Sequence, residues 1–156
     1  MQELILLRHA EALASAADGD DLARALSVHG QSEAEAAGRW LHEHGARPDR
    51  VLCSPAQRAR ETASMALALL GNFSPEYDEH VYEATPGDLI SLLDDHADAR
   101  QVLLVGHNPG LERLVALLVE GRSQEYRGMP PASIAWLRLD DSLEPGSARL
   151  HAFWSP

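Results

Sequence analysis

The feature that most limits how this chain can fold is a unit that recurs three times, a short apolar run followed by a polar turn and then a helical pattern. The first run, residues 3–7, delivers Arg8-His9. The second, Val51-Leu52-Cys53, leads into Ser54-Pro55. The third, residues 102–105, is four branched aliphatic residues ending at Gly106-His107-Asn108-Pro109. Continuous apolar runs of this length mark strands buried on both faces, as in parallel sheets covered by helices.

The helices that follow are legible from their stripes and stops. Ser27 is placed as an N-cap for a helix to about residue 44, with Ala34, Ala37, Trp40 and Leu41 on one face and Gly45 as its stop. Ser54 as N-cap with Pro55 at the first helical position predicts a second helix through residue 70. A weak strand is expected at residues 76–80, and a helix from about 88 to 96 with Leu89, Leu92 and Leu93 as its apolar stripe. Residues 111–119 form the helix after the third run. Residues 10–25 read as a loop with at most a helical turn.

The last third changes character. Residues 133–139 and 148–154 are strand-like and are joined by a turn-rich stretch at 140–146, which predicts an antiparallel pair beside the parallel strands. The fold class expected is α/β, a three-layer α/β/α sandwich with a mostly parallel sheet and a C-terminal antiparallel pair. A chain of 156 residues fits one domain, residues 1–156, without disulfides or a structural metal.

Composition narrows the chemistry. A net charge of −11 disfavours nucleic-acid binding, which depends on neutralising phosphates with basic side chains. All 13 basic residues are arginine, so Schiff-base lysines and P-loop lysines are excluded, and any phosphate is held by Arg, His or backbone. No apolar stretch approaches the length of a membrane span, the opening residues lack the basic region of a secretory signal, and the lone Cys53 suits a reducing compartment. No membrane partner and a cytoplasmic location are therefore expected, with the chain a monomer or weak dimer.

Arg8, His9, Arg58 and His107 all fall at the carboxyl edge of the predicted sheet, where open α/β folds bind ligands. Singly, each has a plainer explanation: a surface Arg-His pair, or an Arg58 paired with Glu61. Together they supply what phosphoryl transfer requires, two guanidinium forks and a protonated imidazole for the equatorial oxygens, and a second imidazole as nucleophile. Nearby arginines oppose protonation of that ring, so no separate base is needed. Cys53 stands in C-x4-R and C-x6-R relationships to Arg58 and Arg60, which excludes the C-x5-R loop of cysteine phosphatases. His42 and His44 do not face one direction, and Asp18, Asp20 and Asp21 lack calcium-site spacing and read as a solvated loop.

Arg8-His9-Ala10, the segment Ser54-Pro55-Ala56-Gln57-Arg58-Ala59-Arg60-Glu61-Thr62, and Gly106-His107-Asn108-Pro109 resemble the histidine phosphatase superfamily, the clan of the phosphoglycerate mutases. In length and loop pattern the chain is most similar to SixA-type phosphohistidine phosphatases. Arg24-Ala25-Leu26-Ser27 resembles the segment before their first long helix, although Ala25 stands where that family has Pro. The resemblance implies a phosphoglycerate mutase-like fold and hydrolysis through a phosphohistidine on His9. It also implies a phosphate pocket of Arg8, Arg58 and His107, with no metal and no organic cofactor. It implies a phosphohistidine-bearing protein, or alternatively a small phosphate ester, as substrate. Glu83 stands where many members carry the acid that protonates the leaving group, and it reads equally as a solvated loop acid. A non-catalytic module that binds phosphoproteins would share the pocket and is the reading from a different class.

Overall fold

The computed structural model describes residues 1–124 and 128–156. In chain order the elements are β1 (Glu3–Arg8), α1 (Val28–Glu43), β2 (Arg50–Cys53), α2 (Gln57–Leu67), β3 (Glu76–Tyr77), α3 (Pro86–Asp94), β4 (Gln101–Gly106), α4 (Gly110–Glu120), β5 (Ile134–Arg138) and β6 (Arg149–Trp154), with 3-10 turns at Asp21–Ala23 and Glu79–Val81. The strands form one sheet in the order β3-β2-β4-β1-β5-β6. β1, β2, β3 and β4 run parallel, while β5 is antiparallel to both β1 and β6. This is the mixed sheet expected, with its antiparallel pair at one edge.

Side-chain alternation divides the interior into two layers. Leu4, Leu6, Val102 and Leu104 face one way and pack with Leu89 and Leu93 of α3 and with Leu111, Leu114 and Leu118 of α4. Ile5, Leu7, Leu103 and Val105 face the other way and meet Ala37 and Leu41 of α1 and Ala59, Ala63 and Ala66 of α2. The small residues of that second layer have a steric reason. A Cβ on Gly38 of α1 would lie 2.6 Å from the Ala66 carbonyl oxygen, so the helices approach at near backbone contact. No helix of the described residues is long and apolar enough to cross a membrane.

Three boundaries differ from the sequence reading. α2 begins at Gln57 rather than Pro55 and ends at Leu67, and its N-cap is Ala56 with no side-chain cap. The Ser54 hydroxyl instead accepts from the Ala56 N–H at 3.2 Å, closing a turn ahead of the helix. α3 begins at Pro86, because Thr85 and Asp88 form a reciprocal capping box that a search for apolar periodicity does not see. The strand expected at residues 76–80 is only Glu76–Tyr77, since Asp78 accepts from the His80 N–H and starts a 3-10 turn.

Candidate active site

The carboxyl ends of β1, β2 and β4 open into one cleft of about 490 Å³, lined by Arg8, His9, Asp21, Arg24, Arg58, Tyr82, Glu83, His107 and Arg113 among others. All five residues singled out from the sequence, Arg8, His9, Arg58, Glu83 and His107, therefore border the same space. Arg8 and His9 are neighbours on β1's end, and β1 lies between β4 and β5. His107 follows β4 directly, so pairing of β1 with β4 (Arg8 opposite Gly106) brings the two imidazoles together. Their ring centroids are 5.1 Å apart.

Hydrogen bonding defines what each group presents. His9 Nδ1 lies 2.8 Å from the Ala10 carbonyl oxygen, which can only accept. Nδ1 therefore carries the proton, and the lone pair of the neutral ring is on Nε2. The loop after His9 is tied to α2 through Thr62, whose hydroxyl donates to the Arg58 carbonyl at 2.7 Å and accepts from the Ala10 N–H at 3.0 Å. His107 Nε2 is 2.7 Å from Ser54 Oγ, a fully buried hydroxyl.

Both arginines are anchored by their terminal nitrogens. Arg8 Nη1 donates to the Met129 carbonyl at 2.7 Å. Arg58 Nη1 donates to the Asp21 carbonyl at 2.8 Å and Nη2 to the Asp21 carboxylate at 3.0 Å. Each guanidinium thus keeps Nε unengaged. Among the described residues, four buried side-chain polar atoms lack a hydrogen-bond partner, and three of them, Arg8 Nε, Arg58 Nε and His107 Nδ1, belong to this cleft. Buried polar groups are normally paired, so three unpaired nitrogens on residues lining one cleft set it apart from the rest of the described interior.

The electrostatics agree with an anion site. Burial lowers His9 to about 4; the Ala10 carbonyl bond opposes that, and the charges of Arg58, Arg8 and Arg24 add to it. His107 falls to about 3 through burial first, then the neighbouring His9 and Arg58. This corrects the protonated imidazole expected from the sequence: at neutral pH the free protein carries both rings neutral. Asp21 is held well below the usual carboxylate range, first by the Tyr82 hydroxyl, which donates to it at 2.6 Å, and then by Arg24, whose Nη1 lies 3.0 Å away.

Asp21, Tyr82, Ser54 and Thr62 join the site only in the folded chain. The sequence alone predicts a solvated loop for Asp21, yet it is the pivot joining Arg24, Arg58 and Tyr82. Arg58 pairs with it rather than with Glu61, which accepts from Gln57 and from the Leu26 N–H. Tyr82 also sets its ring edge against His107, centroids 5.5 Å apart, and lies 5.9 Å below the Arg58 guanidinium carbon. No local pattern marks a loop aspartate as the partner of an arginine 37 residues on. Tyr82 precedes Glu83, which adopts a left-handed backbone at φ 54°, and such residues concentrate at functional sites.

Comparison with known proteins places this arrangement. Residues 4–92 match the family model described as the histidine phosphatase superfamily (branch 1), a stretch that includes Arg8, His9, Arg58 and Glu83 and stops short of His107. An uncharacterized protein of Mycobacterium tuberculosis (strain H37Rv) is 35% identical, over 85% of this chain and 89% of its own length. The phosphohistidine phosphatase SixA of Escherichia coli (strain K12) is 29% identical over 90% of this chain and 87% of its own length. The protein histidine phosphatase SixA solved with tungstate superposes with a TM-score of 0.86 at 27% identity, covering 99% of this chain and 97% of that one. The family match spans more than half the chain and takes in the Arg8-His9 and Arg58 segments, and the sheet is that of the SixA structures: the chain is a phosphatase belonging to the histidine phosphatase superfamily.

Proposed function

We propose that this protein hydrolyses phosphohistidine on a partner protein, as its SixA relatives are named for doing, through a covalent phosphohistidine at His9. The observation that carries the reading is the set of three buried, unpaired nitrogens, Arg8 Nε, Arg58 Nε and His107 Nδ1, on residues lining the cleft that also holds His9. A phosphoryl group brings equatorial oxygens to satisfy them, and fixed donors of this kind stabilise its transfer without reorganising.

In the first step the His9 Nε2 lone pair bonds to phosphorus as the substrate's phosphorus–nitrogen bond breaks. The electron pair of that bond remains on the substrate imidazole, whose other ring nitrogen is protonated, so the leaving group departs neutral. In the second step a water oxygen bonds to phosphorus and the bond to His9 breaks. Its electron pair returns to Nε2, and the water's protons leave with phosphate. The two arginines balance the phosphoryl charge throughout, while burial keeps His9 neutral, with its Nε2 lone pair free.

A second reading keeps the mechanism and changes the substrate. Glu83 lines the cleft with an exposed side chain, where it would protonate the leaving oxygen of a phosphate ester, which an imidazole leaving group does not need. We further take residues 1–156 as one domain acting in the cytoplasm, on the sequence grounds given above. The test is a rapid quench with a 32P-phosphohistidine protein. Acid-labile, base-stable label on wild type but not on His9→Ala, with phosphate released, supports the reading. Turnover of small phosphate esters alone, abolished in Glu83→Gln, would favour the ester reading, and absence of turnover on any substrate would leave a binding module.

A further inference from the structure

Ser54 is fully buried, and its hydroxyl has two neighbours: the Ala56 N–H, which donates to it at 3.2 Å, and His107 Nε2 at 2.7 Å. The Ala56 N–H uses one lone pair of the oxygen. The hydroxyl proton then needs an acceptor, and the Nε2 lone pair is in place to be it. Were Nε2 protonated instead, two donors would point at the same oxygen and the serine's own proton would lie buried and unmatched, a costly arrangement. His107 Nδ1, the other ring nitrogen, is itself buried without a partner, and the ring lines the cleft.

We infer that Ser54 is a positioning residue that fixes the tautomer of His107, donating to Nε2 so that the neutral ring carries its proton on Nδ1 and offers that N–H to the phosphoryl oxygens. The inference rests on the phosphatase reading for its purpose but on hydrogen-bond accounting for its content. It answers a problem the cleft poses. The groups facing His107 are His9, Arg58, Arg8, Asp21 and the Tyr82 ring edge. Three of the titratable neighbours press it toward neutrality, as does burial, and Asp21 alone opposes them. A neutral imidazole with the opposite tautomer would direct a lone pair at an anion. With Nδ1–H it is a donor that needs no net charge, and no acid-range protonation is required for it to act.

Long-range proton–nitrogen correlation on 15N-histidine protein at pH 7 reads the tautomer directly, with the His107 signal identified by its loss in His107→Asn. A pyrrole-type Nδ1 and a pyridine-type Nε2 are expected in the wild type. The reverse pattern, or two pyrrole-type nitrogens, would overturn the inference even if the protein folds and turns over substrate. In Ser54→Ala the Nε2 signal should move toward a mixture of tautomers and tungstate should bind about tenfold more weakly, with both restored in Ser54→Thr. An unchanged tautomer in a folded Ser54→Ala would remove Ser54 from the role. Because the wild-type spectrum needs no substrate, a failure of the phosphohistidine reading leaves it untouched, and the two failures are separable.

Discussion

Asp21 accepts from Arg58 twice, through its backbone carbonyl at 2.8 Å and through its carboxylate at 3.0 Å, so the guanidinium is held by its terminal nitrogens while Nε stays unengaged. The contact reaches across 37 residues, from the loop after β1 to the second residue of α2. It fixes which edge of Arg58 the cleft receives. Planar bidentate donors owe their value to fixed orientation, and a guanidinium free to swing loses it.

Asp21→Asn is therefore expected to lower kcat/KM by about 10- to 100-fold, equivalent to about 1.5–3 kcal/mol for a hydrogen bond to a charged group. Stability should change little, because the Asp21 side chain is 47% exposed and its ion pairs are partly solvated. Steady-state kinetics on a phosphohistidine protein, alongside thermal unfolding, checks both halves. A variant with wild-type kinetics would show that the anchor is dispensable.

The acid limb of the activity profile follows from His9. Protonation removes the Nε2 lone pair, and burial with three arginines nearby holds the ring at about 4 rather than 6.5. kcat/KM should stay level from neutral pH down to about 5 and fall only as pH approaches 4. His107 is already neutral across that range, so it contributes no alkaline limb in the free protein. A decline centred near the ordinary histidine value would contradict the environment described for His9.

Stability carries the same signature with a definite sign. For both rings the folded pKa, about 4 for His9 and about 3 for His107, lies below the ordinary 6.5. Above pH 6.5 folded and unfolded states bind equal numbers of protons at these sites. Below it the unfolded chain takes up protons that the folded chain refuses, so stability falls as pH drops from 6.5 toward the folded values. The loss is on the order of several kcal/mol for the two rings together. His107→Gln should flatten the decline of Tm between pH 6.5 and 4.5 relative to wild type, as followed by calorimetry. A parallel decline in both proteins would assign the acid sensitivity elsewhere.

The layout of the site was legible because strand ends are legible. Runs such as residues 102–105 place His107 at a sheet edge by length alone, and parallel pairing with β1 brings it beside His9. What periodicity could not supply was the set of polar partners. Ser54 carried the local signature of a helix cap, and the actual helix starts beyond it, which frees its hydroxyl for His107. Thr85 and Asp88 capped α3 two residues before its apolar stripe suggested. Asp21 sat in a run of loop aspartates with nothing local to distinguish it, since its identity as an anchor depends on Arg58, Arg24 and Tyr82, which only the folded chain assembles. The protonation state of His107 was likewise beyond reach, because burial sets it and burial belongs to the whole fold.

Thr62 gives the last expectation. Its fully buried hydroxyl donates to the Arg58 carbonyl and accepts from the Ala10 N–H, joining the peptide after His9 to the helix that carries Arg58. Ala10 also supplies the carbonyl that holds His9 Nδ1. Thr62→Val keeps the shape and removes the hydroxyl, leaving the buried Ala10 N–H without its acceptor. The cost expected is about 1–3 kcal/mol of stability. The peptide plane that orients His9 is also released, so on the proposed mechanism kcat should fall more than KM rises, because an enzyme with a misdirected His9 binds substrate as before but reaches the transition state less often. Thr62→Ser restores the hydroxyl and should recover kcat even where the lost methyl leaves some instability. Denaturant unfolding and kinetics on the two variants together separate these effects: equal losses of kcat in Val and Ser would assign the role to packing, while recovery in Ser alone ties it to the hydrogen bond.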